Sequence, residues 1–344
     1  MVGFGHSAIA FLRLLMEKKD VLGSDYGCEV LITAIAGRGK GNLRDDQGID
    51  LEALLKRYFL SGRIPMEAIA QKDNSPALST LDIIASAKAD ILLELSSLSI
   101  MDGQPAISHI EKAFERGLHV ITANKGPIAW DYQRLKTIAG SRGLFFLHET
   151  TVMDGTPIFN LVEETLHGCK IVSFKGILNS TTNFILTEME AGSSFDDAVI
   201  EAQRRGFAEA DPSMDVDGWD AAAKTSAIAN VILHCALKPT DIERTGIRAI
   251  TAEDIKRAKA GHKKIKLLCE AYMDQGEIKG RVHPVLIPDD ELYSTIDATS
   301  SILSITTDLM GEISIIEKDP EIAQTAYGLY SDLLTLIKRL DGKS

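Results

Sequence analysis

Segments of strand length alternate with segments of helix length through the first 150 residues, and nothing else in the chain constrains its fold as much. Strand-like apolar runs fall at residues 29–35, 89–96 (ADILLELS), 120–122 and 143–150 (GLFFLHET). Between them lie helical patterns: Ile9, Leu12, Leu15 and Met16 early on, then SHIEKAFERGLH, then residues 130–139. Antiparallel neighbours can be joined by a tight turn, whereas parallel neighbours need a crossover long enough to hold a helix. The spacing therefore predicts an α/β unit over residues 1–152, a mainly parallel sheet with helices on both faces.

The chain opens MVGFGHSAIAFLRLLMEKK. Gly3 and Gly5, with the small Ala8 in the third position, lead into an apolar helical pattern. This resembles the Rossmann-type turn, in which helix amides, here those of His6 and Ser7, face a pyrophosphate. A plain tight turn before a helix is the bland alternative, and only Met1 and Val2 are left to form the first strand. After the strand at 29–35 an NAD site should carry an acid for the ribose hydroxyls. Gly37, Arg38, Gly39 and Lys40 follow instead, so NADP is the preferred cofactor and NAD the alternative, with Lys56 able to join Arg38. A solvated basic loop is the plain reading of the same residues. Ser96 ends one strand, and Asn124 and Lys125 follow another, where ligands of such sheets bind.

The second half is expected to form an α+β substrate domain over residues 153–317, with a last helix (318–340) returning to the first domain. Residues 171–178 are strand-like, Asn179 to Thr182 form a polar turn, and a helix runs on from Asn183. Asn179, Thr181 and Thr182 could present amide and hydroxyl groups to a substrate carboxylate, or merely cap the helix. Residues 300–306 and 312–316 pair as a hairpin, and His283 is read as structural.

Residues 207–233, FAEADPSMDVDGWDAAAKTSAIANVIL, carry the chemistry. Five acids lie between Glu209 and Asp220, and then comes Lys224 inside an alanine-rich helix. Asp220 and Lys224 are four apart and share one helical face. The helix is small or apolar nearly all round, so Lys224 is expected to face a cleft with Asp220 as its partner. The surplus carboxylates, Glu209, Asp211, Asp215 and Asp217, could hold a substrate ammonium. A structural ion pair is the bland reading; a calcium loop lacks the EF-hand glycine and distal glutamate.

A net charge of −12 argues against nucleic acid or an acidic membrane as the main partner. Charges interrupt every apolar run before membrane-spanning length. Cys28, Cys169, Cys235 and Cys269 lie far apart, which fits a reduced cytoplasmic protein without a disulfide framework. No leader is expected ahead of the first glycines.

The chain resembles the homoserine dehydrogenases over nearly its whole length, through GFGHSA, TANKGPIA, ETTVMDGTPI, GILNSTTNFILTEM and EADPSMDVDGWDAAAKTSAIA. That resemblance implies reduction of aspartate 4-semialdehyde to homoserine by a homodimer using NADPH or NADH. It implies proton transfer by Lys224 with Asp220 and Lys125, and substrate binding by Glu209. It also implies a sodium ion at Glu149 and at the backbone of Val152, Asp154 and Thr156. The chain departs from the family at VMDG, at the short first strand, and at EKDPEIAQTAYG near the end, where Asp319 or Glu321 would repel a phosphate. No regulatory ACT or aspartokinase segment is expected. Two other accounts remain: a relative acting on another amino-aldehyde or oxo acid, and a dinucleotide-binding protein without activity.

Overall fold

The computed structural model describes residues 1–64 and 78–342. Its first half contains α1 (His6–Glu17), α2 (Lys19–Tyr26), β1 (Ala34–Gly37), β2 (Gly41–Arg44), α3 (Leu51–Ser61), α4 (Thr80–Ser86), β3 (Ile91–Glu94), α5 (Ala106–Glu115), β4 (His119–Thr122), α6 (Lys125–Ser141) and β5 (Phe146–Leu147). β3, β4 and β5 are parallel neighbours, as the alternation predicts. β1 and β2 instead form an antiparallel hairpin turning at Gly37 and Gly41. Val2 bridges Ala36 on one side and Glu94 on the other, both in parallel, so one residue stands where the first strand belongs.

Two boundaries differ from the sequence reading. The strand expected at 29–35 is regular only from Ala34, because Val2 is its sole partner on the inner side and reaches no further back. α6 starts at Lys125 rather than at 130. Gly126 and Pro127 disguise its first turn, where a missing N–H is tolerated, and a non-helical Asp131 (φ −150°) separates that turn from the periodic part.

The second half contains α7 (Phe159–Thr165), β6 (Ile171–Ile177), α8 (Ser180–Glu190), α9 (Phe195–Arg204), α10 (Ser213–Val216), α11 (Trp219–Ile232), β7 (Glu243–Arg244), α12 (Ala252–Ala260), β8 (Lys263–Asp274), β9 (Glu277–Pro288), β10 (Ser301–Thr307), β11 (Gly311–Glu317) and α13 (Ile322–Leu340). Six strands make one sheet in the order β11–β10–β6–β8–β9–β7. The expected α/β plus α+β architecture is therefore present.

α11 lies at the centre. Alanine has the best helix propensity, and its small side chains let α6, β8 and β9 pack closely around this helix. Ala221, Ala222, Ala227, Ile228 and Val231 join one apolar core with Phe174, Leu267 and Ile128. α13 crosses back, burying Leu329, Leu333 and Leu336 against Phe11, Leu12 and Leu15. Gly155 and Gly328 allow its entry: a Cβ on Gly328 would lie 1.9 Å from Thr150 Oγ1. Both halves are thus held by helices that cross between them.

Candidate active site

Three helix amino termini meet where the halves join. Asp220 is in the first turn of α11, Lys125 opens α6, and Asn179 caps α8 by accepting from the Thr182 amide at 2.8 Å. α8 begins at Ser180, so Thr181 and Thr182 belong to its first turn rather than to a preceding loop. The correction follows from that cap, which lets the helix start before its apolar pattern does.

Asp220 has both oxygens occupied. Lys125 Nζ donates to Oδ1 at 2.9 Å, while Lys224 Nζ lies 3.3 Å and Asn179 Nδ2 2.9 Å from Oδ2. Asn179 Nδ2 also donates to Asp215 Oδ1 at 2.7 Å, so one amide bridges two carboxylates. Lys224 Nζ donates to Leu178 O at 2.8 Å, at the carboxyl end of β6. The side chains of Lys125, Asp220 and Lys224 keep 15–18% exposure, so the cluster is not sealed from solvent.

Burial alone would raise the Asp220 carboxyl, but the Lys125 and Lys224 charges outweigh it and hold Asp220 well below the usual carboxylate range. Burial would lower the Lys224 ammonium; Asp220, Asp154 and Asp215 overcome this and hold it above its ordinary value. Asp215 is pushed up, first by burial and then by the Asp220 charge. Two adjacent carboxyls are thereby driven apart, an arrangement that assigns them different work.

The other acids of the string do not converge here. Asp217 pairs with Arg248 at 2.7 Å, and Asp211 accepts from the Ser213 amide at 3.0 Å. Glu209 is exposed on the segment leading to α10. Thr181 Oγ1 donates to Phe207 O at 2.7 Å and Thr182 Oγ1 to Asn179 O at 3.1 Å, so both hydroxyls are engaged with backbone.

On the nucleotide side, Gly3 has φ +92°, and a Cβ there would lie 2.1 Å from Leu95 O. Gly5, by contrast, has open space around its missing Cβ. α1 has no side-chain cap, so its first amides, at His6, Ser7 and Ala8, are left for a ligand. These features fit a dinucleotide pyrophosphate. Asn124 Nδ2 donates to Ser96 O at 3.2 Å, which ties these two residues together beside Lys125. Arg38 and Lys56 are exposed. Lys40, read from the sequence as a solvated residue, instead donates from Nζ to Phe4 O at 2.7 Å and to Tyr58 OH at 2.9 Å. Also unforeseen is Glu94, fully buried, whose Oε1 accepts from Ser96 Oγ at 2.5 Å and lies 3.1 Å from His109 Nδ1. A charged residue inside a strand-like run was the available cue.

The Glu149 side chain does not fit a cation ligand. Its two oxygens accept from the amides of Ile158, Phe159 and Asn160, capping α7. The Thr156 carbonyl accepts from the Ile158 amide at 2.9 Å, and Asp154 Oδ1 accepts from Thr325 Oγ1 at 2.6 Å. Burial pushes the Glu149 carboxyl up to about 7 against those amides. Among the described residues no cluster of three or more His, Cys, Asp or Glu side chains is placed to hold a metal, and no helix is long and apolar enough to cross a membrane.

A family profile described as homoserine dehydrogenase matches residues 157–334. The chain is 34% identical to an NAD(+)-dependent homoserine dehydrogenase of Pseudomonas canavaninivorans, over 97% of this chain and 94% of that one. It is 35% identical to a homoserine dehydrogenase of Methanocaldococcus jannaschii, over 97% and 96%. The crystal structure of a putative homoserine dehydrogenase from Archaeoglobus fulgidus superposes with a TM-score of 0.84 at 31% identity, covering 98% of both chains.

Proposed function

The chain belongs to the homoserine dehydrogenase family, and on that premise we propose that it reduces aspartate 4-semialdehyde to homoserine, reversibly, with a nicotinamide dinucleotide. The observation that carries the reading is the cluster in which Asp220 is held by Lys125, Lys224 and Asn179.

An ammonium has three donors. Lys224 commits two of them, to Leu178 O at 2.8 Å and towards Asp220 Oδ2 at 3.3 Å. The third is left for a substrate carbonyl in the cleft. Reduced nicotinamide, when bound, supplies the hydride for the aldehyde carbon. Lys224 donates the proton to the oxygen as charge grows there, and solvent recharges the amine. The carboxylates around Lys224 favour its ammonium, so the donor is protonated at neutral pH. Lys125 and Asn179 keep Asp220 oriented. Asp215, joined to the cluster through Asn179, is the acid assigned to the substrate ammonium; Thr181 and Thr182 shape the first turn of α8 beneath it.

NADP is the proposed preference, supported by Arg38, exposed after β1, where an acid would favour NAD. The mechanism uses no cation at Glu149. Pairing with a second copy is proposed as well: Leu309 and Met310, 70% and 61% exposed on the β10–β11 turn, leave apolar surface to cover. Sedimentation would read the mass directly.

Purified protein mixed with homoserine and NADP or NAD at alkaline pH should generate reduced cofactor, fastest with NADP. A folded protein that reduces neither cofactor would overturn the reading and favour a binding role.

A further inference from the structure

Glu94 is the last residue of β3 and is fully buried. A carboxyl taken out of water is costly unless donors replace the water. Oε2 of Glu94 has no hydrogen-bond partner among the described residues. Oε1 takes the Ser96 amide at 3.3 Å and the Ser96 hydroxyl at 2.5 Å, and it lies 3.1 Å from His109 Nδ1 on α5. The chemistry proposed above makes no use of this group.

A serine hydroxyl has one proton and two lone pairs. Oε1 of Glu94 receives the Ser96 N–H, so it is an acceptor, and the hydroxyl proton points to it as well. The Ser96 carbonyl is also engaged, accepting from Asn124 Nδ2 at 3.2 Å. What half-buried Ser96 still offers is the lone pairs of Oγ, which accept a hydrogen bond and cannot donate one. Its position gives this polarity a use. The opening turn touches it: a Cβ on Gly3 would lie 2.1 Å from Leu95 O and 2.8 Å from Ser96 N. On the other side Asn124 ties Ser96 to the start of α6, where Lys125 donates to Asp220. Ser96 thus stands between the turn that fits a pyrophosphate and the cluster around Asp220.

We propose that Glu94 fixes the Ser96 hydroxyl as an acceptor for the carboxamide N–H of the nicotinamide, so that the two residues recognise this amide and hold the ring one way round. Glu94 is a positioning residue, acting through Ser96. A carboxamide has a donor end and an acceptor end, and a free serine hydroxyl would satisfy either. With its proton committed to Glu94, Ser96 admits only the NH2 end. The inference rests on the proposed use of a nicotinamide dinucleotide and is independent of the amino-acid substrate, because cofactor binding is read without turnover.

The probe is the 3-acetylpyridine analogue of NADP (or of NAD, whichever dinucleotide binds more tightly), in which a methyl group replaces the carboxamide NH2 and the carbonyl stays. Calorimetric titration with the dinucleotide and with its analogue gives a ratio of dissociation constants for each protein. The parent should bind the analogue about tenfold more weakly, because Ser96 Oγ then faces a methyl group. Ser96→Ala removes the acceptor, and Glu94→Leu frees the hydroxyl to donate. In both variants the ratio should fall to within about twofold. Glu94→Gln keeps an oxygen for Ser96 and should keep the ratio of the parent. A Glu94 that served only the fold would, on replacement, weaken both ligands alike and leave the ratio where it was. Circular dichroism checks each variant, and Ser96→Ala reads the same bond should Glu94→Leu not fold. Equal affinities in the parent, or a parental ratio in Ser96→Ala or in folded Glu94→Leu, would overturn this inference alone. Binding of neither ligand by the folded parent would overturn the dinucleotide reading and this inference with it.

Discussion

Lys125 and Asp220 join the two halves of the molecule: the first residue of α6 donates to the first turn of α11 at 2.9 Å across 95 positions of sequence. The pair leaves the second Asp220 oxygen to Lys224 and Asn179. An aspartate so held keeps its charge, and with it the charge of the neighbouring amine.

Removing that amine should stop the chemistry and spare the cofactor. Lys224→Ala is expected to lower kcat by about 10²–10⁴-fold while the dissociation constant for NADPH stays within about twofold. Steady-state rates and fluorescence titration read the two quantities. Turnover near that of the parent would remove Lys224 from its role.

Asn179 separates capping from bridging. Asn179→Ala removes both and should cost about 1 kcal/mol of stability. Asn179→Asp keeps a good cap but places a third carboxylate against Asp215 and Asp220. The aspartate variant should therefore be the less active of the two, although it keeps the cap. The opposite order of activity would show that the amide bridge is incidental.

Glu149 makes stability depend on pH. Its carboxyl is buried and raised from 4.5 to about 7, with Asp332 close by at the Glu149 amide. The folded state thus keeps a proton that the unfolded chain releases. The contribution is full below pH 4.5 and disappears as pH rises through about 7, a change of about 3 kcal/mol. Glu149→Gln cannot titrate. Between pH 5 and 8 the unfolding midpoint of the parent should fall relative to this variant, and parallel curves would refute the assignment.

Arg38 and Lys40 should behave differently although both follow β1. Arg38→Ala is expected to lower kcat/KM for NADP by about tenfold and leave NAD within about twofold. Lys40 braces the opening turn through Phe4 O and Tyr58 OH, so Lys40→Ala should weaken both cofactors alike. A clear advantage for NAD in the parent would show that the basic hairpin does not read a phosphate.

Gly3 and Gly5 make a matched pair. Gly3→Ala puts a Cβ 2.1 Å from Leu95 O at φ +92° and should cost about 3 kcal/mol or more. Gly5→Ala meets no atom within 4 Å, so stability should hold within about 0.5 kcal/mol while KM for the dinucleotide rises. Calorimetry and kinetics together distinguish a packing glycine from a ligand-facing one.

Much of this was legible in the chain. Asp220 and Lys224 are four apart on one helix, and helical geometry alone puts them on one face. The alanine-rich surroundings told that this face is internal, and strand–helix alternation predicted the parallel β3–β4–β5 sheet. Less legible were elements whose ends depend on distant partners. β1 begins only where Val2 can pair with it, and the first turn of α6 is hidden by Gly126 and Pro127.

By itself, then, the sequence determined local periodicity, the proximity of Asp220 to Lys224, and the glycines that the opening turn requires. Tertiary structure alone decided which of five nearby acids enter the site. Asp211 and Asp217 are drawn to Ser213 and Arg248, while Asn179, 41 positions before Asp220, selects Asp215 and Asp220. It also turned Lys40 inward and assigned Glu149 to a helix cap. The physical reason is that a side chain's charge and hydrogen bonds are set by what packs against it, and those neighbours lie far away along the chain.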